Sequence, residues 1–274
     1  MSKIPSTSEL GGVAWQSGRI IKMLYLKPER HAVEFKADGT KVTAADRAVH
    51  IYVVKRMQTF FPDIPIVGEE GTAGKRTGAP DEHWLVVDEL DGTHAFTLGL
   101  PVSAVMIALM EGDHPIRSAI ADPFSDRLYT AELGKGAFLN GFPVRVQQKT
   151  PKYPVVDVVS WPHRGKNDML IENMVGGVAE DLHALLHCEV HSVGGIGIVD
   201  ARVASGEFSA TVFPGTTLWD TAAGDLLVRE AGGVATDLRG NPLRYDGDSM
   251  EGHVFAATAD LHASILGVVR KYYP

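Results

Sequence analysis

Three carboxylates fall within four residues at Asp88-Glu89-Leu90-Asp91, and Gly92 and Thr93 follow at once. The apolar run before them, Trp84-Leu85-Val86-Val87, reads as a buried strand. Acidic groups this close repel one another and raise each other's pKa unless a cation lies between them. Gly92 permits a tight turn, and Thr93 adds a hydroxyl and a backbone N–H. A carboxylate pair, a turn and a hydroxyl are the parts that a Mg²⁺-dependent phosphate site needs.

Three further acidic positions stand out: Glu69-Glu70 before Gly71, Asp46 in Thr43-Ala44-Ala45-Asp46, and Asp220 in Trp219-Asp220-Thr221-Ala222-Ala223-Gly224. Each has a plain alternative. An Asp in the first turn of a helix serves as a cap, and a Glu pair before a glycine can simply be solvated.

These residues need elements to hold them. Residues 8–26 read as an amphipathic helix through Leu10, Val13, Ala14, Ile20, Ile21 and Leu24. Thr43 to Asp46 reads as the capped start of a second helix that reaches about Phe61, before Pro62. Ile64–Gly68 reads as a short strand, and Thr72 to Asp81 as a mobile polar loop. Strand-like runs at Ala104–Met110, Ile116–Ala121, Leu128–Ala131 and Ala137–Leu139, separated by turn residues, predict an antiparallel meander. Beyond Lys149 the pattern alternates. Strands are expected at Val155–Ser160, Val190–Val193, Phe208–Phe213, Val234–Asp237 and His253–Ala256. Helices are expected at Asn167–Leu186, Ile196–Ala204, Trp219–Ala231 and Leu261–Tyr272. The boundary is expected near 145–150, giving an α+β half over 1–147 that carries most of the acidic motifs. An α/β half over 148–274 would complete the site.

With 26 basic and 34 acidic residues in 274, the net charge is -8, and no Lys/Arg-rich run stands out. That argues against a nucleic-acid-binding role. Cys188 is the single cysteine, so no intrachain disulfide can form. No apolar stretch approaches the roughly 20 residues that span a bilayer, and Met1 to Leu10 has no signal-peptide core. The expectation is a soluble cytoplasmic protein without membrane partners.

Taken in order, the motifs resemble those of the inositol monophosphatase family of Mg²⁺-dependent, lithium-sensitive phosphatases. The resemblance runs from Lys36 through Gly233 and rests on Val42-Thr43-Ala44-Ala45-Asp46, Gly68-Glu69-Glu70, Asp88 to Thr93, and Trp219 to Gly224 followed by Glu230-Ala231-Gly232-Gly233. Asp122-Pro123, Gly134-Lys135-Gly136-Ala137-Phe138 and Asn140-Gly141 also fit. It implies an α+β fold, the layered α-β-α-β-α sandwich, and commonly a homodimer. It implies two or three Mg²⁺ per subunit, with Mn²⁺ able to substitute and Li⁺ and Ca²⁺ inhibitory; an all-oxygen donor set suits these hard ions better than Zn²⁺. Glu69, Asp88 and the Leu90 carbonyl would hold one ion, and Asp88, Asp91 and Asp220 a second. Glu70 would stand behind them or help to hold a weaker third ion. Thr93 and Asp46 would orient and deprotonate the attacking water, and the N–H groups of Gly92 and Thr93 would hold the phosphate. The implied activity is hydrolysis of a small phosphate monoester, inositol 1-phosphate or a related polyol or sugar phosphate. Histidinol phosphate, fructose 1,6-bisphosphate and 3′-phosphoadenosine 5′-phosphate are the alternatives, the first and last because Lys36 to Asp46 also looks like those branches. Some members act instead by binding transcription or ribosome-assembly machinery. The intact Thr93, Asp46 and metal carboxylates argue here for retained catalysis.

Three positions depart from the family pattern. Glu89 replaces a proline between the acidic residues and is read as a solvent-facing side chain, with a metal role as the alternative. Phe213 stands where inositol phosphatases carry a Glu that accepts hydrogen bonds from ring hydroxyls; losing such a partner costs on the order of 1–3 kcal/mol. After Val193-Gly194, Gly195 and Ile196 stand where the family carries small residues, so Ile196 either narrows the substrate pocket or packs in the core; Gly194 and Ile196 are candidate substrate contacts. His163 and Arg164, in a loop at a strand's C-terminal end, are candidates to contact a second phosphate or a sugar ring. Lys36 is either near the metals or a surface lysine, and Trp219 is read as a core anchor rather than a substrate contact.

Overall fold

A capping box starts the first helix: Ser6 Oγ accepts the Glu9 N–H at 3.2 Å, and Glu9 Oε2 takes the Ser6 N–H at 2.9 Å. The computed structural model describes residues 3–28, 32–36, 39–159, 168–247 and 249–273. In chain order these form α1 (Thr7–Tyr25), β1 (Val33–Phe35), β2 (Lys41–Thr43), α2 (Ala44–Phe60), β3 (Ile66–Gly68), β4 (Gly71–Ala73), β5 (His83–Asp91) and the short α3 (Thr93–Leu98). Then come β6 (Ala104–Glu111), β7 (His114–Asp122), β8 (Arg127–Glu132), β9 (Gly136–Leu139) and β10 (Phe142–Val144). The remainder is β11 (Val155–Val158), α4 (Asp168–Leu186), β12 (Glu189–His191), α5 (Ile196–Ala204), β13 (Ala210–Thr217), α6 (Leu218–Glu230), β14 (Val234–Thr236), β15 (Ser249–Ala256) and α7 (Ala259–Val269).

The expected meander is antiparallel from β6 through β9. It belongs to an eight-stranded sheet ordered β10-β9-β8-β7-β6-β5-β3-β4. A second, five-stranded sheet is mixed: β11 runs parallel to β12 and β13, while β15 runs antiparallel to β13 and β14. Period-2 alternation along β5 sends Leu85 and Val87 into one apolar cluster with α1 and α2. Trp84 and Val86 enter another with α5, α6 and the inner face of the second sheet. The outer face of that sheet, through Val156, Val158, Val212 and Val254, packs on Leu182 of α4 and on Ile265 and Val269 of α7. The result is the layered α-β-α-β-α sandwich. Among the described residues no helix is long and apolar enough to cross a membrane.

Several elements differ from expectation. The run Thr72 to Asp81 begins inside β4 rather than as a loop. The ribbon β1–β2 and the edge strand β10 were not anticipated. Strand β5 continues through all three carboxylates rather than ending at Val87. Asp88 pairs with Met106 and Asp91 with Ala104, so β5 carries one more residue than β6 over that stretch. Such a bulge re-aims side chains; it lets Asp88 and Asp91 face one cleft although strict alternation would separate them. Glu89 then points the other way, and the expectation of a solvent-facing side chain is wrong: it is 1% exposed. His50 Nδ1 of α2 lies 2.8 Å from Glu89 Oε1, and the Glu70 N–H reaches Oε2 at 3.4 Å.

Candidate functional site

Four helices begin around one place. Asp46 and Asp220 occupy the third positions of α2 and α6, and each closes a capping box with one oxygen. Asp46 Oδ2 accepts from the N–H and Oγ1 of Thr43 at 2.7 and 2.5 Å. Asp220 Oδ2 accepts from the N–H and Oγ1 of Thr217 at 3.0 and 2.7 Å. Asp91 is held by the start of α5, whose Ile196 and Gly197 N–H groups donate to its two oxygens at 3.0 and 2.9 Å. Asp88 Oδ1 accepts the Leu90 N–H at 3.0 Å. Gly92, with φ of 78°, turns the chain from β5 into α3. A Cβ on it would lie 2.9 Å from the Val102 carbonyl, so only glycine suits the position. The turn places Thr93 Oγ1 3.1 Å from Asp46 Oδ1 and 3.0 Å from the Leu90 carbonyl.

Glu69, Asp88, Leu90, Asp91, Gly92, Thr93 and Asp220 line a single cleft of about 500 Å³. Phe35, Lys41, His94, Phe213, Thr217 and Trp219 form much of the rest of its wall. Burial is the main force on its acids. It lifts Asp88 and Asp91 well above the usual carboxylate range, and Asp220 pushes both the same way. It pushes Glu69 up to about 8, although Lys36 opposes the rise. It also raises Asp220, against the hydrogen bonds from Thr217, and takes Asp46 to about 6. Lys36 Nζ supplies local positive charge, 3.0 Å from Glu69 and 2.6 Å from Glu70. So many buried acids are stable as anions only beside added cations.

The donor chemistry of the cleft fits Mg²⁺: four carboxylates and a carbonyl, all hard oxygens. Among the described residues no group of three or more His, Cys, Asp or Glu side chains is already drawn together around an ion position. Glu69 is turned to Lys36, and one oxygen of Asp220 is committed to its cap.

The other expected residues divide. Phe213 lines the cleft although it is only 2% exposed. Glu70 stands behind the cleft on Lys36. Ile196 is 1% exposed in the central core, so its side chain packs there, and only its N–H serves the site. Gly194 does not line the cleft; its carbonyl packs against Gly92. His163 and Arg164 lie outside the described residues. Trp219 packs on the core and also lines the cleft, so the reading as a core anchor alone was too narrow. Lys41 and His94, 2.6 Å apart at Nζ and Nδ1, were missed. Their only sequence signal was the position of His94 directly after Thr93.

Comparison with known proteins agrees with this geometry. The family model described as the Inositol monophosphatase family matches residues 6–273. A protein of Aquifex aeolicus named fructose-1,6-bisphosphatase/inositol-1-monophosphatase is 29% identical over 260 residues, which cover 94% of this chain and 93% of its own. The Nus factor SuhB of Pasteurella multocida is 28% identical over 258 residues, with 94% and 92% covered. Among solved structures, an IMPase of Thermotoga maritima superposes with a TM-score of 0.82 at 25% identity, covering 96% of each chain.

Proposed function

The chain belongs to the inositol monophosphatase family of phosphate monoester hydrolases, and from that premise we propose that it hydrolyses a small polyol or sugar phosphate, inositol 1-phosphate foremost, with Mg²⁺. The observation that carries the reading is that the acids Glu69, Asp88, Asp91 and Asp220 share one cleft with the Thr93–Asp46 pair.

Glu69, Asp88, Asp91, Asp220 and the Leu90 carbonyl would hold Mg²⁺ there. When bound, the ions supply the positive charge that a phosphate dianion needs and make water easier to deprotonate. The chain's own groups do the rest. The N–H groups of Gly92 and Thr93 hold the phosphate oxygens at the turn. Thr93 Oγ1 takes a proton from the attacking water as its own passes to Asp46 Oδ1, 3.1 Å away. Burial raises the Asp46 pKa to about 6, which suits a base working near neutral pH. Water attacks the phosphorus in line, the bond from phosphorus to the ester oxygen breaks, and that oxygen takes a proton from solvent as the alcohol departs; the incoming oxygen is water's, so no covalent phosphoenzyme forms.

Phe213 is the specificity-setting wall in this reading. It offers no acceptor for a sugar hydroxyl, and it is one of three aromatic residues, with Phe35 and Trp219, that line the cleft. Histidinol phosphate, fructose 1,6-bisphosphate and 3′-phosphoadenosine 5′-phosphate therefore belong in the same test. The likeness to a Nus factor keeps a second reading in view, a regulatory protein whose partner is transcription machinery.

Phosphate release from these esters, with Mg²⁺ and with or without millimolar Li⁺, tests the proposal. One preferred, Mg²⁺-dependent and Li⁺-inhibited ester supports it and names the substrate. No release from any ester while Mg²⁺ binds would overturn it in favour of the regulatory reading.

A further inference from the structure

The Asp220 cap connects to a buried pair that the mechanism above leaves unused. His253 of β15 and Asp200 of α5 are each 0% exposed, with His253 Nε2 3.7 Å from Asp200 Oδ1. The ring is clamped: it stacks on Phe255 with centroids 4.0 Å apart and meets Phe213 edge-on at 5.7 Å. Asp200 has its own niche in α6, where a Cβ at Gly224 would come within 2.3 Å of Asp200 Oδ2. Neither Asp200 oxygen has a hydrogen-bond partner among the described residues.

Two hydroxyls join this pair to the cleft. His253 Nδ1 lies 3.3 Å from Thr221 Oγ1, which lies 3.1 Å from Thr216 Oγ1, which in turn reaches Asp220 Oδ2 at 3.3 Å. Each hydroxyl has one hydrogen to give. Thr221 gives its own to the Thr217 carbonyl at 3.0 Å. It then accepts from an Nδ1–H of His253, and the Thr216 hydrogen is shared between Asp220 Oδ2 and the Thr217 carbonyl, each 3.3 Å away. With a bare Nδ1, Thr221 would donate to the ring instead and draw the Thr216 hydrogen away from Asp220.

We propose that His253 is a positioning residue for the Asp220 carboxylate, acting through Thr221 and Thr216. Phe255 and Phe213 fix the orientation of the ring, and an Nδ1–H of the ring fixes the hydroxyl chain. The chain adds to the Thr217 cap on Asp220 Oδ2, so that the other oxygen faces the cleft in one orientation. This rests on the reading of Asp220 as a metal ligand. Groups that orient a metal ligand through a hydrogen bond are typically worth 10–100-fold in metal affinity.

The test is Mg²⁺ titration of the metal-stripped protein by calorimetry, with melting curves as a check on folding. His253→Leu should weaken Mg²⁺ binding about tenfold. His253→Asn, whose amide can donate where Nδ1 does, should restore most of that affinity. Thr216→Val keeps the shape, removes the hydroxyl, and should match His253→Leu; the double variant should be no weaker than Thr216→Val alone. Wild-type affinity in Thr216→Val, an Asn variant as weak as the Leu variant, or multiplying losses in the double variant would each overturn the inference. If His253→Leu fails to fold, Thr216→Val decides the matter alone. If the wild type binds no Mg²⁺, the metal reading falls and this inference falls with it.

Discussion

Asp46 and Asp220 show how one carboxylate can be both a helix cap and a working group. In sequence the two roles look like alternatives. In the structure Oδ2 of each closes a capping box, while Asp46 Oδ1 takes the Thr93 hydroxyl. The cap removes rotamer freedom that a flexible acid would otherwise lose on engaging its target. Asp220→Asn should therefore leave the fold intact, since an amide oxygen can still cap, and lower turnover by roughly 100-fold or more; unchanged phosphate release would refute its assignment as a ligand. Thr93→Val removes the relay and not the carboxylates. It should cut kcat by about 10²–10⁴-fold while Mg²⁺ affinity, read by calorimetry, stays near that of the wild type. Phe213→Glu should raise activity on inositol 1-phosphate relative to the other esters, at some expense in melting temperature because the site is nearly closed to solvent. An unchanged ratio would remove Phe213 from the substrate contacts.

At the level of elements, the site is an arrangement of helix starts around the bulged end of β5. The helix starts were readable, because Thr43 to Asp46 and Thr217 to Asp220 each place a hydroxyl and an acid three residues apart. The bulge was not. It is a mismatch between two strands, and β5 alone shows only an apolar run followed by charges, which does not reveal that Glu89 is buried. The ribbon β1–β2 has strands of three residues each, too short for alternation to register. The contrast between Ile196, in the core, and Phe213, on the cleft wall, depends on which neighbour covers each side chain, and that information is tertiary. Thr43→Val tests the element directly. It breaks the capping box, and should cost about 1 kcal/mol of stability together with a fall in activity, since Asp46 loses the 2.5 Å bond that aims it. Thermal melts and turnover measured on the same preparation would separate the two effects.

Across the whole molecule, the five layers bury acids that a protein without bound cations would not readily keep ionised. Not all of them belong to the cleft. Asp157, on β11 and fully buried, accepts the Val193 N–H at 2.8 Å, yet burial still pushes it up to about 7. The folded protein holds a proton there that the unfolded chain releases near pH 4. Stability therefore favours the low-pH side of this group and declines as pH climbs from about 4 through about 7. Asp157→Asn, which can still accept the Val193 N–H, should raise the melting temperature at pH 8 and leave it nearly unchanged at pH 4. An equal shift at both pH values would show that the carboxyl is not the source. The central claim, that the acids around Asp88 and Asp91 work through Mg²⁺ on a phosphate monoester, is tested most directly by phosphate release against Mg²⁺ concentration. The measurement uses the best-cleaved ester and compares the wild type with Asp91→Asn. The account predicts release that rises with Mg²⁺, stops with a chelator and is absent in the variant. Release that ignores the chelator, or survives undiminished in Asp91→Asn, would contradict it.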